Sequence, residues 1–296
     1  MFEGEQSGYV ERLQAFKAGL REFGYIEGRD YSVEQRSANT DFSRLPALVA
    51  ELLALKVDLI VPAGTPSAIA AREATREVPI VIVTVGDPVG SGLASSLRQP
   101  GGNVTGLTNL NSDLYAKRLD LMRQLLPRMR RAGFLCNPDN GNDMLSLNQF
   151  KADCLRYKFE ALPAFARRTQ DLATAFDALK RANVQGLIVT ETSTNNAWGE
   201  LIVEQAAKHR IPAVYGLTRY VDLGGLVSYG TNYPDLYRRA AAYVQKIFAG
   251  TNPKDLPIEQ PTKFEMAINM DTAKLLGIRV SESILVQSTK VIGKQN

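Results

Sequence analysis

Histidine, tryptophan and cysteine are scarce: among 296 residues there is one His, one Trp and two Cys. The lone His209 stands in Lys208-His209-Arg210 at an expected helix end, where a helix dipole explains a basic ring, and no Ser or Cys partner gives it the setting of a catalytic triad. Cys136 and Cys154 could pair with each other, but read rather as two isolated buried thiols. Cys, His and paired acids at metal-ligating spacing are missing, so no metal is expected. The Gly pairs at Gly101 and Gly224 read as turns, and neither sits in a Gly-x-Gly-x-x-Gly fingerprint, so no dinucleotide or other cofactor is expected. No apolar run reaches the ~18 residues of a membrane span, and no basic-then-apolar leader precedes Glu11. Charge is nearly balanced, 35 basic against 31 acidic residues for a net +4, and the basic residues are scattered apart from Arg128, Arg130 and Arg131. With no basic stripe, nucleic acid is not an expected partner.

What is present is dense alternation of strand and helix patterns. Helices are predicted over Val10–Phe23, Leu45–Lys56, Ser67–Arg76, beyond Asp113, and over Ser146–Tyr157, Asp171–Ala182, Ala197–His209 and Asp235–Phe248. Strands are predicted at Tyr31–Ser37, Leu59–Val61, Pro79–Val85, Val104–Leu110, Ala132–Cys136, Glu160–Phe165, Gly186–Thr190, Ala213–Gly216 and Leu226–Tyr229. This is an α/β chain with mostly parallel sheets covered by helices on both faces, and its length and strand number favour two doubly wound, three-layer lobes over one. Ligands of such sheets sit beyond the strand carboxyl ends, and a cleft between lobes is the expected pocket.

Two turns fit that position. Leu59-Ile60-Val61-Pro62-Ala63 leads into Gly64-Thr65-Pro66-Ser67, with Thr65 as candidate N-cap and Pro66 in the first turn, so that backbone N–H groups and a helix dipole face an anion. The apolar run from Pro79 to Val85 ends in Gly86-Asp87-Pro88, whose carboxylate can accept an ammonium or simply close a local turn. Trp198 reads as a packing residue, and Arg238 and Arg239 as a solvated helix face or a contact to a partner.

Several stretches carry a resemblance: Phe23-Gly24-Tyr25-Ile26-Glu27-Gly28-Arg29, Gly64-Thr65-Pro66, Val85-Gly86-Asp87-Pro88-Val89, Arg98-Gln99-Pro100-Gly101-Gly102-Asn103-Val104-Thr105-Gly106, Gly224-Gly225-Leu226-Val227-Ser228-Tyr229-Gly230, and the tail from Leu256-Pro257-Ile258-Glu259-Gln260-Pro261 through Asn269 to Gly277. In this order and spacing the chain is similar to the solute-binding proteins of ABC transporters, in the family that includes tryptophan- and tyrosine-associated members. The resemblance implies a type I periplasmic-binding-protein fold, with lobes over 1–108 plus 231–262 and 109–230 plus 263–296. Three crossings, near Thr108–Asn111, Tyr229–Tyr233 and Lys263–Met266, act as hinges for closure on a ligand that a membrane permease then accepts. It further implies a monomer, periplasmic or membrane-anchored outside the cytoplasm, whose signal segment is not in this chain. One departure stands out: the family has an apolar strand ahead of the first helix, and Met1 to Tyr9 does not read as one.

Carried over by position, Gly64, Thr65, Pro66 and Ser67 fall at the ligand and Gly86 and Asp87 beside it. On the second lobe Asn137, before Pro138, offers an amide or an ordinary turn. Glu191 and Thr192 close the strand ending at Thr190, and Tyr215 is either a platform for the ligand body or core edge. The expected ligand bears a carboxylate and an ammonium, an amino acid with an aromatic one in view; the alternatives are an aromatic or hydroxy acid, or a ligand sensor on the same fold. An α/β enzyme is disfavoured because only Asp87 and Glu191 stand in the cleft as acids.

Overall fold

The computed structural model describes residues 7–39, 41–109 and 111–293. The part of the departing stretch from Met1 to Gln6, and Leu110 within the first expected hinge, lie outside these residues. In chain order the helices and strands are α1 (Ser7–Glu22), α2 (Leu45–Ala54), α3 (Thr65–Ala74), β1 (Ile80–Val85), β2 (Val104–Thr108), α4 (Asn111–Leu125), β3 (Arg131–Cys136), α5 (Gly141–Arg156), β4 (Glu160–Phe165) and α6 (Asp171–Arg181). There follow β5 (Gly186–Val189), α7 (Ser193–Ala197), α8 (Gly199–His209), β6 (Ala213–Tyr215), α9 (Thr218–Asp222), β7 (Val227–Thr231), α10 (Tyr233–Phe248), β8 (Phe264–Asn269), α11 (Met270–Leu276), α12 (Glu282–Gln287) and β9 (Lys290–Ile292). The chain divides into two units, Met1–Leu110 with Asn232–Lys263, and Asn111–Thr231 with Phe264–Asn296, and passes between them three times.

The second unit is built on a seven-stranded sheet in the order β4-β3-β5-β6-β7-β8-β9, parallel except where β7 meets β8. Both faces are buried, which is why its central strands are continuous apolar runs rather than alternating ones. Phe134 and Ile188 point to one face, where Tyr115, Leu119 and Met122 of α4 and Leu147, Phe150 and Cys154 of α5 cover them. Leu135, Leu187 and Val189 point to the other, beneath Leu172, Phe176 and Leu179 of α6 and Ile202 and Val203 of α8. Pro163 is tolerated in β4 because β4 is an edge strand, bonded to β3 alone. Trp198 packs into the second of these clusters, and Cys136 and Cys154 are buried and unpaired.

The first unit has a smaller ladder, β1 and β2 in parallel register from Ile80↔Val104 to Val85↔Thr108, extended by single bridges at Ile60↔Ile80 and Leu107↔Glu259. Its core gathers Leu45, Leu48, Val49 and Leu52 of α2 and Ala68 and Ala71 of α3 over Ile60, Ile80 and Ile82, while α1 and α10 pack on one another. Gly19 permits that approach, since a Cβ there would stand 2.3 Å from the Arg238 carbonyl oxygen.

Two expected strands are corrected here. Tyr31–Ser37 is extended, with isolated bridges at Tyr31, to Glu27, and at Ser37, and forms no strand, while Leu59–Val61 carries an isolated bridge from Ile60 to Ile80. β-branched and aromatic residues favour extended chain, but a strand exists only when a neighbouring backbone accepts its hydrogen bonds. The predicted helix over Ala197–His209 is two helices, broken at Trp198.

Candidate functional site

In the first unit the two singled-out turns leave the same end of adjacent extended segments, because Ile60 bridges Ile80 in parallel. The N-cap of α3 is Gly64 and not Thr65, which is the first helical residue with Pro66 after it. Gly64 has φ 113° and ψ 167°, a conformation closed to residues with a Cβ, and it brings no side-chain acceptor to the helix end. The first turn of α3 therefore opens without a capping oxygen, the arrangement in which an anion's oxygen completes the N–H groups. Ser67 donates its hydroxyl to the Gly64 carbonyl at 3.1 Å, and both Thr65 and Ser67 are buried.

Gly86 is held from below by Thr108, whose hydroxyl donates to the Val85 carbonyl at 2.7 Å. Half-buried Asp87 closes the turn after it: one carboxylate oxygen accepts N–H bonds from Gly90 at 2.8 Å and Val89 at 3.2 Å. The second oxygen takes no hydrogen bond among the described residues, so a single carboxylate can shape the turn and still face a cation.

In the second unit β3, β5 and β6 are neighbours, so Asn137, Glu191, Thr192 and Tyr215 come together at their carboxyl ends. Asn137 donates its backbone N–H to Asp143 at 2.7 Å and accepts the Asp139 N–H at 3.0 Å, the local turn. Thr192 caps α7, accepting the Asn195 N–H at 3.3 Å. Tyr215 is 1% exposed and its ring stacks on Tyr220 at 4.6 Å, inside the cluster under α6 and α8.

Glu191 is engaged by a side chain of α4. Its carboxylate meets the Arg118 guanidinium with both side chains fully buried, and a Cβ on Gly216 would stand 2.4 Å from that carboxylate. Arg118 also donates through Nε to the Tyr229 carbonyl at 2.6 Å and lies 5.0 Å from the centre of the Tyr115 ring. The Tyr115 hydroxyl accepts the Glu191 N–H at 3.1 Å, and burial pushes the Tyr115 phenol far above its ordinary range. A buried ion pair costs desolvation that only close geometry and further hydrogen bonds offset, and here strand ends and ring supply them.

Asp143, fully buried on α5, is the second group not foreseen. It accepts the Thr190 hydroxyl at 3.0 Å besides the Asn137 N–H, and the Asn195 amide donates to the same Thr190 oxygen at 2.8 Å. Burial pushes the Asp143 carboxyl up to about 7 against the pull of those two donors. Arg118 carried a signal that the sequence reading did not use. With Tyr115, Leu119 and Met122 it sits at i, i+3, i+4 and i+7 spacing on the buried stripe of α4, where an Arg demands a buried partner. His209 bonds Asp177 at 2.9 Å, and no group of three or more His, Cys, Asp or Glu suited to a metal occurs among the described residues.

Comparison with known proteins agrees with this architecture. A tyrosine-binding protein from Clostridioides difficile is 26% identical over 90% of this chain and 76% of its own length. The crystal structure of a conserved domain protein from Vibrio cholerae superposes with a TM-score of 0.93 at 26% identity, covering 98% of this chain and 97% of that one. An ABC domain from Streptococcus pneumonia in complex with L-Trp superposes at 0.91 with 24% identity over 98% and 97% of the two chains. These relatives share the α/β fold read from the strand and helix pattern. Residues 5–292 match a single family, and on that match the chain belongs to the ABC transporter substrate-binding proteins.

Proposed function

We propose that this protein captures an amino acid with an aromatic side chain and hands it to a membrane permease, working outside the cytoplasm as a binding protein without chemistry of its own. The observation that carries the reading is the Gly64–Ser67 turn, where α3 opens without a side-chain cap and a ligand carboxylate can complete it. Asp87 then takes the ammonium through its uncommitted oxygen. In the second unit Asn137 and Thr192 are proposed contacts, while Glu191 acts through Arg118 and Tyr215 supports the rim from beneath. The relatives favour the aromatic side chain, since one is a tyrosine-binding protein and another holds L-Trp.

The test is a thermal-shift and calorimetry panel of L-Trp, L-Tyr, aliphatic amino acids and aromatic acids lacking the amine. The aromatic amino acids should raise Tm and be recovered unconsumed; a ligand at a hundred times its Kd adds ~2.7 kcal/mol. Asp87→Asn, which keeps an acceptor for the turn, should weaken the amino acids by at least about tenfold, the loss of one charge-assisted bond, and leave the amine-free acids unchanged. Equal weakening of both classes removes Asp87 from the ammonium site, and an aromatic acid binding better than its amino acid overturns the ligand class.

A further inference from the structure

A cavity of about 530 Å³ in the second unit lies beside Met129, Gln185 and Pro212, just ahead of β3, β5 and β6, at the opposite end of the sheet from Asn137 and Thr192. That volume falls among small-molecule sites, which run from ~300 to ~1,000 Å³. Its wall is largely apolar, with Leu126, Pro127, Leu276 and Ile278 in it, and among the described residues no Asp or Glu lines it. Two arginines do, Arg128 and Arg279.

The cluster Arg128, Arg130 and Arg131 divides here by what each side chain meets. Arg131 pairs with Glu160 at 2.9 Å, and Arg130 donates to the Met129 carbonyl at 2.9 Å. The Arg128 side chain makes no hydrogen bond or ion pair among the described residues, and neither does that of Arg279. Gln185 adds a further donor: its amide oxygen accepts the Arg130 and Arg131 N–H groups at 2.6 and 3.2 Å, which leaves its Nε2 with no acceptor among the described residues. The carboxyl ends of α4 and α11 border the cavity and carry about half a negative charge each, so the two guanidiniums leave it with a net positive charge of about one.

We propose that this cavity is a second binding site, taking a small organic monoanion with an apolar body, its carboxylate between Arg128 and Arg279 and its hydrocarbon part against Leu126, Leu276 and Ile278. A guanidinium presents a planar fork of donors that matches both oxygens of a carboxylate, and the apolar wall takes up what the charged end leaves over. A cavity of this size encloses the body of a molecule free in solution, whereas a lipid surface is met by apolar groups that project.

The test titrates the full chain with octanoate by calorimetry, with acetate and octan-1-ol as controls, and maps the octanoate by hydrogen exchange. Octanoate should bind one to one and slow exchange in residues 125–129 and 277–281, while acetate, without the body, and octanol, without the charge, should each bind at least about tenfold more weakly. Arg128→Gln with Arg279→Gln should weaken octanoate by about tenfold or more, and should leave Tm unchanged because neither side chain holds a partner among the described residues. No binding of octanoate, or equal binding by the double variant, overturns the site, and octanol or acetate binding as tightly as octanoate overturns the ligand class. Slowing confined to residues 64–67 and 86–90 puts octanoate at the turns of the first unit and overturns a second site. Binding to phosphatidylglycerol vesicles that the double variant loses, with no binding of octanoate, assigns the arginines to a lipid surface and overturns a free ligand.

Discussion

Arg118 and Glu191 show what a buried charge requires of its surroundings. Each side chain is fully buried, so removing one leaves the other's charge uncompensated in a medium that solvates it poorly. Glu191→Ala should destabilise the protein by ~3–5 kcal/mol in urea unfolding. Arg118→Met combined with Glu191→Ala should cost less than Glu191→Ala alone, because no charge is then stranded. If the double variant is the less stable of the two, the pair is net stabilising beyond its mutual compensation. The pairing was not legible in the sequence, since its partners stand 73 residues apart and nothing local to Glu191 announces it.

Asp143 makes a different demand. Its carboxyl is pushed up to about 7 from an ordinary 3.8, so between those values the folded protein holds a proton that the unfolded chain has released. Stability from this group is therefore present at acid pH and declines as pH rises toward about 7, above which both states are ionised and the deficit is constant. Asp143→Asn, neutral throughout, should flatten that slope, by roughly 4 kcal/mol across the window, when urea midpoints are compared between pH 4 and pH 8. A slope equal to the parent's assigns the dependence to other groups.

At the scale of elements, α1 and α10 pack tightly against one another in the first unit. Gly19→Val would push a branched side chain against the Arg238 carbonyl and the Ala241 methyl, 2.3 and 2.8 Å from the position of a Cβ. Overpacking of this kind costs ~1–3 kcal/mol, and the loss should show as a lower Tm with native-like circular dichroism; Gly24→Ala, whose Cβ meets nothing within 4 Å, reports instead on its left-handed φ of 84°.

Strands buried on both faces were legible, and β3, β4, β5, β6 and β7 stand within a few residues of their apolar runs. Tyr31–Ser37 and Leu59–Val61 are extended too, but among the described residues they carry isolated bridges in place of a ladder, a long-range outcome that local composition does not encode. β8, α11, α12 and β9 went unread because Phe264–Asn269 mixes Glu265 and Asn269 into the run, and the helices after it have seven and six residues, too few to show a period. At the candidate site the Gly64 and Gly86 turns were found by type, and the identity of the cap was missed because Thr65 offers a side-chain oxygen that reads as a cap, while the left-handed φ of Gly64 shows only in the structure.

At the scale of the molecule, no helix among the described residues is long and apolar enough to cross a membrane, and no metal-ligating group occurs among them. On the proposed reading the ligand is held by protein groups alone, so EDTA should leave both Tm and the response to L-Trp and L-Tyr unchanged, and a fall in either that returns with a divalent cation would overturn that part of the reading.

The double return of the chain also governs how the protein can be born. α1 emerges early from a ribosome, yet α10, the helix it packs against, and Ile258, part of the first unit's core, follow only after most of the other unit has been translated. The nascent amino-terminal third must wait with its apolar surface uncovered, and the other unit in turn lacks β8 until still later. Stable folding of either unit therefore comes late in synthesis or after release.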